Sequence, residues 1–548
     1  NRGLAYFELR SFQKAFEDFS KANEIAPNNH SIIFSLGSTL EKLKKNNDAI
    51  KCYLKVINIK KDFEPSYISL AELQSKNNKN EAALKTLNNL IHVNIDHDIA
   101  HYNKGNILQK LGRYSQAIKC YDKAISINPN LYQSFSNAGT LLHTIFKNHE
   151  LAIQYFKKSI KIEPQNVHAV SNYSGLLADT GKFNEGYLEV NKAIAIDKKY
   201  SKAYYNKGNI MSGLGYPYEA IENYNISINL DDEFIDSYYN RALNNLLLKN
   251  FREGWIDYDS RKKKKTWVPR TFNFKELKDK SEIQGSIIFL YSEQGLGDTI
   301  HFARYAKQFV DLGATVILEV QKPLLGLIEM FSGLTIIAKG DDIPKADFHL
   351  PLMSSPMILE TNITNMPPVT KINVEKNRVE DWGKRLGKTG LKIGIAWQGN
   401  KEHEDDKKIE KLQRSFPLKS LVSQIACQNV RLISLQRDNS SIDITSQNSI
   451  EILGDDFDKF GYAFRDSVAV MQNLDLVITC DTSIAHLACS LNIPTWIALK
   501  YIPDWRWLLV RDDSPWYPSA KLFRQTEWGD WDGVFTKMKL QLNQKGVH

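Results

Sequence analysis

The sequence lacks any apolar run long enough to cross a bilayer, although 42% of its 548 residues are hydrophobic. We therefore expect a soluble, globular chain without a membrane span. Cysteine is also scarce, and the five cysteines, Cys52, Cys120, Cys427, Cys480 and Cys489, include no Cys-X-X-Cys pair. This usage indicates reduced thiols in a cytoplasmic protein rather than disulfides or a zinc site.

A signal peptide and an initiating methionine are missing as well. Because the sequence starts at Asn1 in the middle of a repeat pattern, we expect an upstream segment whose targeting information is not visible. A chain of 548 residues exceeds what one hydrophobic core accommodates. Two to four domains are therefore expected.

Positive charge is unevenly distributed along the chain, whose net charge is +8. Residues 1–265 hold 37 Lys and Arg against 28 Asp and Glu, and the remainder is nearly balanced. Five of these positive charges form the run at residues 261–265. A charge run at a domain boundary is typical of a solvated linker, so we expect no nucleic-acid binding.

A period of 34 residues dominates the first half of the sequence. Small residues recur with this spacing, lengthened once to 35, at Gly3, Gly37, Ala71, Gly105, Gly139, Ser174, Gly208 and Ala242. Bulky residues such as Phe19, Tyr53 and Tyr121 follow 16 positions later. These positions resemble the tetratricopeptide repeat, a helix pair in which small residues allow close approach. The resemblance implies an α-solenoid of about eight repeats over residues 1–260, whose concave face commonly binds extended polypeptide.

Asparagine recurs at one place in the first helix of several repeats, flanked by tyrosine and a basic residue. The triplets are Tyr102-Asn103-Lys104, Tyr205-Asn206-Lys207 and Tyr239-Asn240-Arg241. An asparagine at this position could hydrogen-bond the backbone of a bound peptide. Alternatively, these are ordinary structural residues of the first helix, and the sequence favours neither interpretation.

The second half opens with a glycine-containing stretch at residues 291–305. It follows the β-branched apolar segment Ile287–Tyr291 and precedes helical spacing over 299–312, so Gly295 and Gly297 lie in a strand-to-helix turn. In a parallel sheet, ligands bind at such turns. Asp298 comes at the start of the helix and is either a helix cap or a catalytic base.

Short apolar strands alternate with helices from here onward, which predicts a doubly wound parallel sheet in two halves. We assign residues 261–284 to a linker, 285–370 to the first half and 371–540 to the second. In the first half we predict strands over Thr315–Val320 and Leu334–Ala338, with a helix over 324–331, and the segment 348–352 follows them. In the second half we predict strands over 392–397 and 430–435.

Residues 474–499 of the second half are predicted as strand, turn, helix and strand. Asp481, Thr482 and Ser483 fall at the helix start, where free amides and hydroxyls can bind a diphosphate. On spacing alone, a plain N-cap is the favoured interpretation of Asp481. His486, one turn further, either touches phosphate or packs.

One charged loop groups His403 with Glu404, Asp405 and Asp406. The grouping suggests metal ligands, but a solvated loop is the better interpretation. We therefore expect no metal site.

The Gly-Leu-Gly-Asp turn ending at Asp298 and the Cys-Asp-Thr-Ser-Ile-Ala-His turn ending at His486 resemble motifs of the heptosyltransferase-like glycosyltransferases, family nine. The resemblance covers residues 285–540, including the tryptophan-rich tail. The whole chain resembles bacterial proteins that join a tetratricopeptide array to such a domain. This implies the GT-B architecture, in which two Rossmann-like halves face a cleft, and an inverting, metal-independent reaction that needs no cofactor. A nucleotide sugar would be the donor substrate.

By position in these motifs, Asp298 would be the general base that takes the proton of the acceptor hydroxyl. The donor side would comprise Arg414, Gln436, Asp481, Thr482, Ser483 and His486, and the acceptor side or its loop Gly295, Gly297 and Arg304. The family donor is usually an ADP-linked heptose. The long, charged loop from Asn400 to Arg414 departs from the family pattern, so the sequence does not identify the donor.

The sequence thus predicts a glycosyltransferase whose repeat array recruits the acceptor. A protein or peptide acceptor follows by analogy with peptide-binding arrays, while a lipid or polysaccharide acceptor stays open. The alternative is a non-catalytic repeat scaffold with a degenerate transferase domain. Retention of Asp298, Arg414 and the Asp481 turn together favours the enzyme.

Overall fold

The computed structural model describes residues 1–399, 412–437, 449–459 and 463–544. The chain divides into two compact units. The first unit comprises Asn1–Leu176 and Leu188–Lys198, and the second comprises Leu177–Tyr187 and Lys199–His548. The second unit therefore contains the last repeats together with all the strands. The domain boundaries predicted at residues 260, 284 and 370 stay predictions.

Paired helices fill the first 258 residues, as the repeat period predicts. They are α1 (Arg2–Glu8), α2 (Phe12–Ile25), α3 (His30–Lys42), α4 (Asn46–Ile59), α5 (Glu64–Lys76), α6 (Asn80–Val93), α7 (Asp98–Lys110), α8 (Tyr114–Ile127), α9 (Tyr132–Thr144), α10 (His149–Ile162), α11 (Val167–Asp179), α12 (Phe183–Ile196), α13 (Ser201–Gly213), α14 (Pro217–Leu230), α15 (Ile235–Leu247) and α16 (Phe251–Tyr258). None of the helices in the described residues is long and apolar enough to span a membrane.

Close helix packing in the repeats depends on the recurring glycine. In the first unit, a Cβ on Gly105 would lie 2.6 Å from a ring carbon of the fully buried Tyr121. In the second unit, a Cβ on Gly208 would lie 2.4 Å from the ring of Tyr224. Real Cβ atoms do not approach so closely, so only glycine fits. This confirms the predicted pairing of small and bulky residues.

The first sheet lies in the second unit and contains parallel strands in the order β1-β5-β2-β3-β4. The strands are β1 (Lys275–Glu276), β2 (Ile287–Tyr291), β3 (Thr315–Val320), β4 (Leu334–Ala338) and β5 (Phe348–Pro351), with helices α17 (Leu296–Phe302), α18 (Arg304–Asp311) and α19 (Ser355–Ile358). The helix predicted over 324–331 is wrong. Only a 3-10 turn, Lys322–Leu324, forms there, because Gly326 has a φ of +79° that an α-helix cannot contain.

The second sheet of this unit has the order β11-β12-β10-β9-β6-β7-β8 and is parallel except at β11. Its strands are β6 (Leu391–Ala396), β7 (Val430–Ser434), β8 (Ile450–Glu451), β9 (Leu476–Cys480), β10 (Thr495–Leu499), β11 (Asp513–Ser514) and β12 (Tyr517–Arg524), with helices α20 (Lys376–Leu386), α21 (Leu418–Ile425), α22 (Arg465–Met471), α23 (Ser483–Ser490) and α24 (Trp531–Asn543). Two parallel sheets agree with the predicted α/β class, while the GT-B architecture stays a prediction. The loop containing His403 lies outside the described residues.

An aromatic cluster joins the last repeat helix to the α/β part of the second unit. The indole N–H of Trp255 donates to the carbonyl of Thr361 at 2.9 Å, and its ring lies edge-on to Trp505 at 5.1 Å. The Phe251 ring also lies edge-on to the Trp516 ring, with the two ring centroids 6.2 Å apart. These rings bury apolar surface between α16 and the sheets and fix its position.

The basic run after α16 was expected to be solvated, and this is wrong for Arg261. Its side chain is 4% exposed, and its guanidinium donates to the two carboxylate oxygens of Glu293 at 2.9 and 2.8 Å. A buried guanidinium requires such a partner. Arg261 thereby ties the predicted linker to the end of β2.

Candidate functional site

Two strand-to-helix turns of the second unit lie against each other. The first joins β2 to α17, and the second joins β9 to α23. A Cβ on Gly297 would lie 3.2 Å from Ser483 Cα, 3.5 Å from the Ser483 amide nitrogen and 3.1 Å from His486 Cδ2. Because any side chain would crowd these atoms, glycine allows the turns to touch.

Asp298 lies in the first turn of α17 with both carboxylate oxygens engaged. One oxygen accepts from the Gly295 backbone N–H at 3.1 Å, and the other accepts from Arg506 Nη2 at 2.7 Å. Burial raises the pKa of Asp298 above its ordinary value, and the charge of Arg506 opposes this. The bond to Gly295 confirms the helix cap, one of the two predicted alternatives. The role of general base stays a prediction.

Arg506 pairs with two carboxylates in this region, and it was not predicted from the sequence as a site residue. Its side chain is 8% exposed and donates to Asp504 at 2.8 Å as well as to Asp298. Burial lowers the pKa of the guanidinium, but the two carboxylates outweigh burial and raise it overall. The local signal was an Asp-Trp-Arg-Trp segment, in which an acid and a base alternate with large apolar rings.

Asp481 precedes the helix rather than capping it. The N-cap of α23 is Thr482, so the N-cap interpretation of Asp481 is wrong. Burial and the Asp504 carboxylate raise the pKa of Asp481 to about 6, while Arg506 and Arg414 act in the opposite direction. Thr482 is buried, with its hydroxyl 3.3 Å from that of Thr479.

His486 is buried and packs, as one of its two predicted alternatives requires. Its Nδ1 lies 2.8 Å from the Tyr517 hydroxyl, and Nδ1 of His301 lies at the same distance from that hydroxyl. Burial lowers the pKa of both imidazoles well below the ordinary value. Since the hydroxyl has one proton, it donates to one histidine and accepts from the other. A phosphate contact for His486 stays a prediction.

Arg304 and Gln436 have protein partners away from Asp298. Arg304 is 2% exposed and donates to the backbone carbonyls of His301 and Trp516 at 2.8 and 3.0 Å. Gln436 accepts from the Gln398 backbone N–H at 3.3 Å, beside the end of β6. An acceptor contact for Arg304 and a donor contact for Gln436 stay predictions.

A cavity of about 520 Å³ opens beside Asp481 within the second unit. Arg414, Asp481 and Lys500, which follow β6, β9 and β10, line one side of it. Asn209 of α13 and Asn244 of α15 are among the repeat residues that line the other side. Of the predicted site residues, Arg414 and Asp481 thus share one cavity, and sequence reasoning missed the repeat side.

The repeat asparagines form hydrogen bonds from one repeat to the next. An Asn Nδ2 donates at 2.8 Å to the Oδ1 of an asparagine in the preceding repeat, and a tyrosine hydroxyl donates to the same oxygen at 2.8 Å. The groups are Asn137, Asn106 and Tyr121 in the first unit, and Asn240, Asn209 and Tyr224 in the second. Asn240 therefore makes structural hydrogen bonds between repeats, and peptide binding by the repeat asparagines stays a prediction.

Comparison with known proteins identifies the repeats. Residues 1–29, 30–63, 99–131 and 133–166 match family models described as tetratricopeptide repeat. The N-terminal array is thus a solenoid of tetratricopeptide repeats, as predicted. None of these family-model matches reaches residues 285–540, so the heptosyltransferase-like part stays a prediction. No curated protein matches the chain.

Several solved structures are similar to part of the chain. YrrB, a tetratricopeptide repeat protein with an unusual peptide-binding site, is 21% identical over 34% of this chain and 96% of its own, with a TM-score of 0.30. A tetratricopeptide repeat protein from Parabacteroides merdae is 17% identical to this chain, and the match covers 44% of this chain and 96% of that protein, with a TM-score of 0.37. MamA is 25% identical to this chain, and the match covers 30% of this chain and 95% of MamA, with a TM-score of 0.28.

Proposed function

We propose that the chain is an inverting glycosyltransferase that moves a sugar from a nucleotide sugar to an acceptor recruited by its repeat array. Tetratricopeptide repeats bind peptide or protein partners, which supports recruitment of a protein acceptor. The transferase part rests on one observation. The Gly297 and Ser483 turns touch, so Asp298 and Arg506 lie close to the start of α23.

The proposed reaction uses these groups in a defined order. Asp298 takes the proton of the acceptor hydroxyl while the hydroxyl oxygen attacks the anomeric carbon and its bond to the diphosphate breaks. Arg414 and the amides at the start of α23 stabilise the departing diphosphate. Because Asp298 is paired with Arg506, donor phosphates that attract Arg506 also free the carboxylate to act as a base.

Nucleotide binding is the first test of this proposal. Thermal unfolding of the full chain is measured with UDP, GDP and ADP, and candidate acceptors are then analysed by mass spectrometry after incubation with the matching nucleotide sugars. We expect one nucleoside diphosphate to raise the melting temperature and one acceptor to gain the mass of a sugar. Stabilisation by none of the three would contradict the proposal.

The residue roles are tested by two variants. Asp298→Asn keeps the shape of the side chain but removes the base, so we expect turnover to be abolished while the Kd for the nucleoside diphosphate stays within about twofold. Arg414→Ala removes a cation, which should raise that Kd by about tenfold, corresponding to one charged hydrogen bond. Lost binding in Asp298→Asn would make Asp298 structural, and an unchanged Kd would remove Arg414 from the site.

A repeat scaffold without catalysis is the second candidate function. It is favoured by the engagement of both Asp298 oxygens, one by Gly295 and one by Arg506. A scaffold would bind polypeptide through the array and show no response to any nucleoside diphosphate. Sugar transfer that depends on Asp298 would exclude it.

A further inference from the structure

The two sides of the cavity beside Asp481 differ in charge. The side formed by the α/β part carries the cations Arg414 and Lys500 together with the carboxylates Asp481 and Asp504. The side formed by α11, α13 and α15 carries the Asp179 carboxylate and asparagine amides, with neither Lys nor Arg among its described lining residues. Among the described lining residues, a diphosphate therefore finds cations only on the first side, and the only charged group that it meets on the second is the Asp179 carboxylate. A neutral polar group suits the repeat side.

Hydrogen bonds within the repeat side fix the orientation of its amides. Asn209 Oδ1 accepts from both the Tyr224 hydroxyl and Asn240 Nδ2, which leaves Asn209 Nδ2 to donate. Asn240 uses its Nδ2 toward Asn209 and toward the Tyr205 hydroxyl at 3.3 Å, which leaves its Oδ1 to accept. The Tyr205 hydroxyl is also hydrogen-bonded to the Asn209 side chain. The wall thus presents Asn240 Oδ1 as an acceptor of fixed orientation.

An aromatic surface lies in the same cavity. The indole N–H of Trp528 donates to the Gly213 carbonyl at 2.8 Å, and the Trp528 ring packs at 5.8 Å against Phe183. Trp528 and Phe183 both line the cavity. A flat apolar surface near neutral amides and a carboxylate suits a ligand with hydroxyl edges and apolar faces, because each hydroxyl both donates and accepts.

We propose that the repeat side of this cavity, formed by Asp179, Asn209 and Asn240, binds a sugar ring. The repeats then take part in sugar recognition in addition to recruiting a partner. The ring belongs either to the nucleotide sugar or to a glycan acceptor, which share the same hydroxyl chemistry. The inference rests on the proposed function only where the sugar is that of the donor.

The test uses two matched variants of the full chain, Asn209→Ala and Asn106→Ala. Each loses a hydrogen bond from a tyrosine hydroxyl and one from the asparagine of the next repeat, and Asn209→Ala also loses the contact with the Tyr205 hydroxyl; of the two, only Asn209 is among the described lining residues. Calorimetric titrations use UDP, GDP and ADP, followed by UDP-glucose, GDP-mannose and ADP-glucose. We expect Asn209→Ala to weaken nucleotide-sugar binding by about fivefold while nucleoside diphosphate binding is unchanged. Asn106→Ala should change neither.

A glycan microarray separates the two sources of the sugar and tests the inference independently of the donor. Glycans bound by the unmodified chain and by Asn106→Ala but not by Asn209→Ala would support it, even if no nucleoside diphosphate binds and the proposed function fails. Equal nucleotide-sugar affinities in the two variants, together with no Asn209-dependent glycan binding, would overturn it. Polypeptide binding that is lost in Asn209→Ala without any sugar dependence would also overturn it.

Discussion

The two turns that meet at Gly297 have the same local construction but different electrostatics. Each follows a buried parallel strand, leads into a short helix and carries an aspartate. Asp298 lies inside its helix, where the Gly295 N–H and Arg506 stabilise its charge. Asp481 precedes its helix, and burial together with Asp504 raises its pKa to about 6.

This difference shows that an aspartate at a strand-to-helix turn does not define its own protonation. Burial raises the pKa of both carboxylates, and Arg506 opposes it more directly at Asp298, since its Nη2 donates to Asp298, whereas it acts on Asp481 through its charge. Arg506 and Asp298 are 208 positions apart. The same kind of turn can therefore hold a carboxylate with or without a direct cationic partner, depending on a distant residue.

Removal of Arg506 is expected to have the largest effect. Arg506→Met leaves Asp298 and Asp504 without their cation, and we expect the free energy of unfolding to fall by about 3 kcal/mol. Denaturant unfolding at pH 7 measures this. The exposed pair of Arg511 with Asp513 is the matched control, and Arg511→Met should cost less than about 0.5 kcal/mol.

The double variant Arg506→Met with Asp298→Asn shows whether the two turns are coupled through this pair. Since the Asn side chain carries no charge, part of the loss should be recovered relative to Arg506→Met alone. Losses that simply add would mean that Arg506 stabilises the protein without acting on Asp298.

Contact between the turns is tested at Gly297. Gly297→Val places a side chain about 3 Å from Ser483 and His486, and overpacking of this kind costs about 2 kcal/mol. Gly295→Val is the control, because a Cβ there meets only Asp298 Oδ2 at 3.5 Å. Thermal unfolding should separate the two variants clearly, and equal melting temperatures would show that the turns do not touch.

Local patterns allowed much of the fold to be predicted. The repeat period depends on contacts such as Gly105 with Tyr121, whose spacing is constant along the sequence. The strands β2 and β9 are largely apolar segments, which parallel sheets bury on both faces. Both kinds of pattern are set by neighbours in sequence, so they are visible without any knowledge of tertiary packing.

The arrangement of charges and cavity walls was not predicted. Besides their neighbouring aspartates, Arg261 and Arg506 pair with Glu293 and Asp298, which are 32 and 208 positions away, and nothing in the local sequence identifies these distant partners. Asn209 was likewise not recognised as a cavity residue, because its local pattern matches that of Asn106. Identical local patterns acquire different roles only when packing brings other elements beside them.

The smallest expected effect concerns Asp481. Its raised pKa means that the folded chain binds a proton more tightly than the unfolded chain, so its contribution to stability is present below about pH 4 and is lost as the pH rises to about 6. Asp481→Asn cannot ionise. Relative to the unmodified chain, this variant should therefore become more stable between these pH values, by about 1 kcal/mol once solvent screening is included. Denaturant unfolding of both chains from pH 4 to 7 measures the difference, and parallel profiles would show that Asp481 is charged throughout this range.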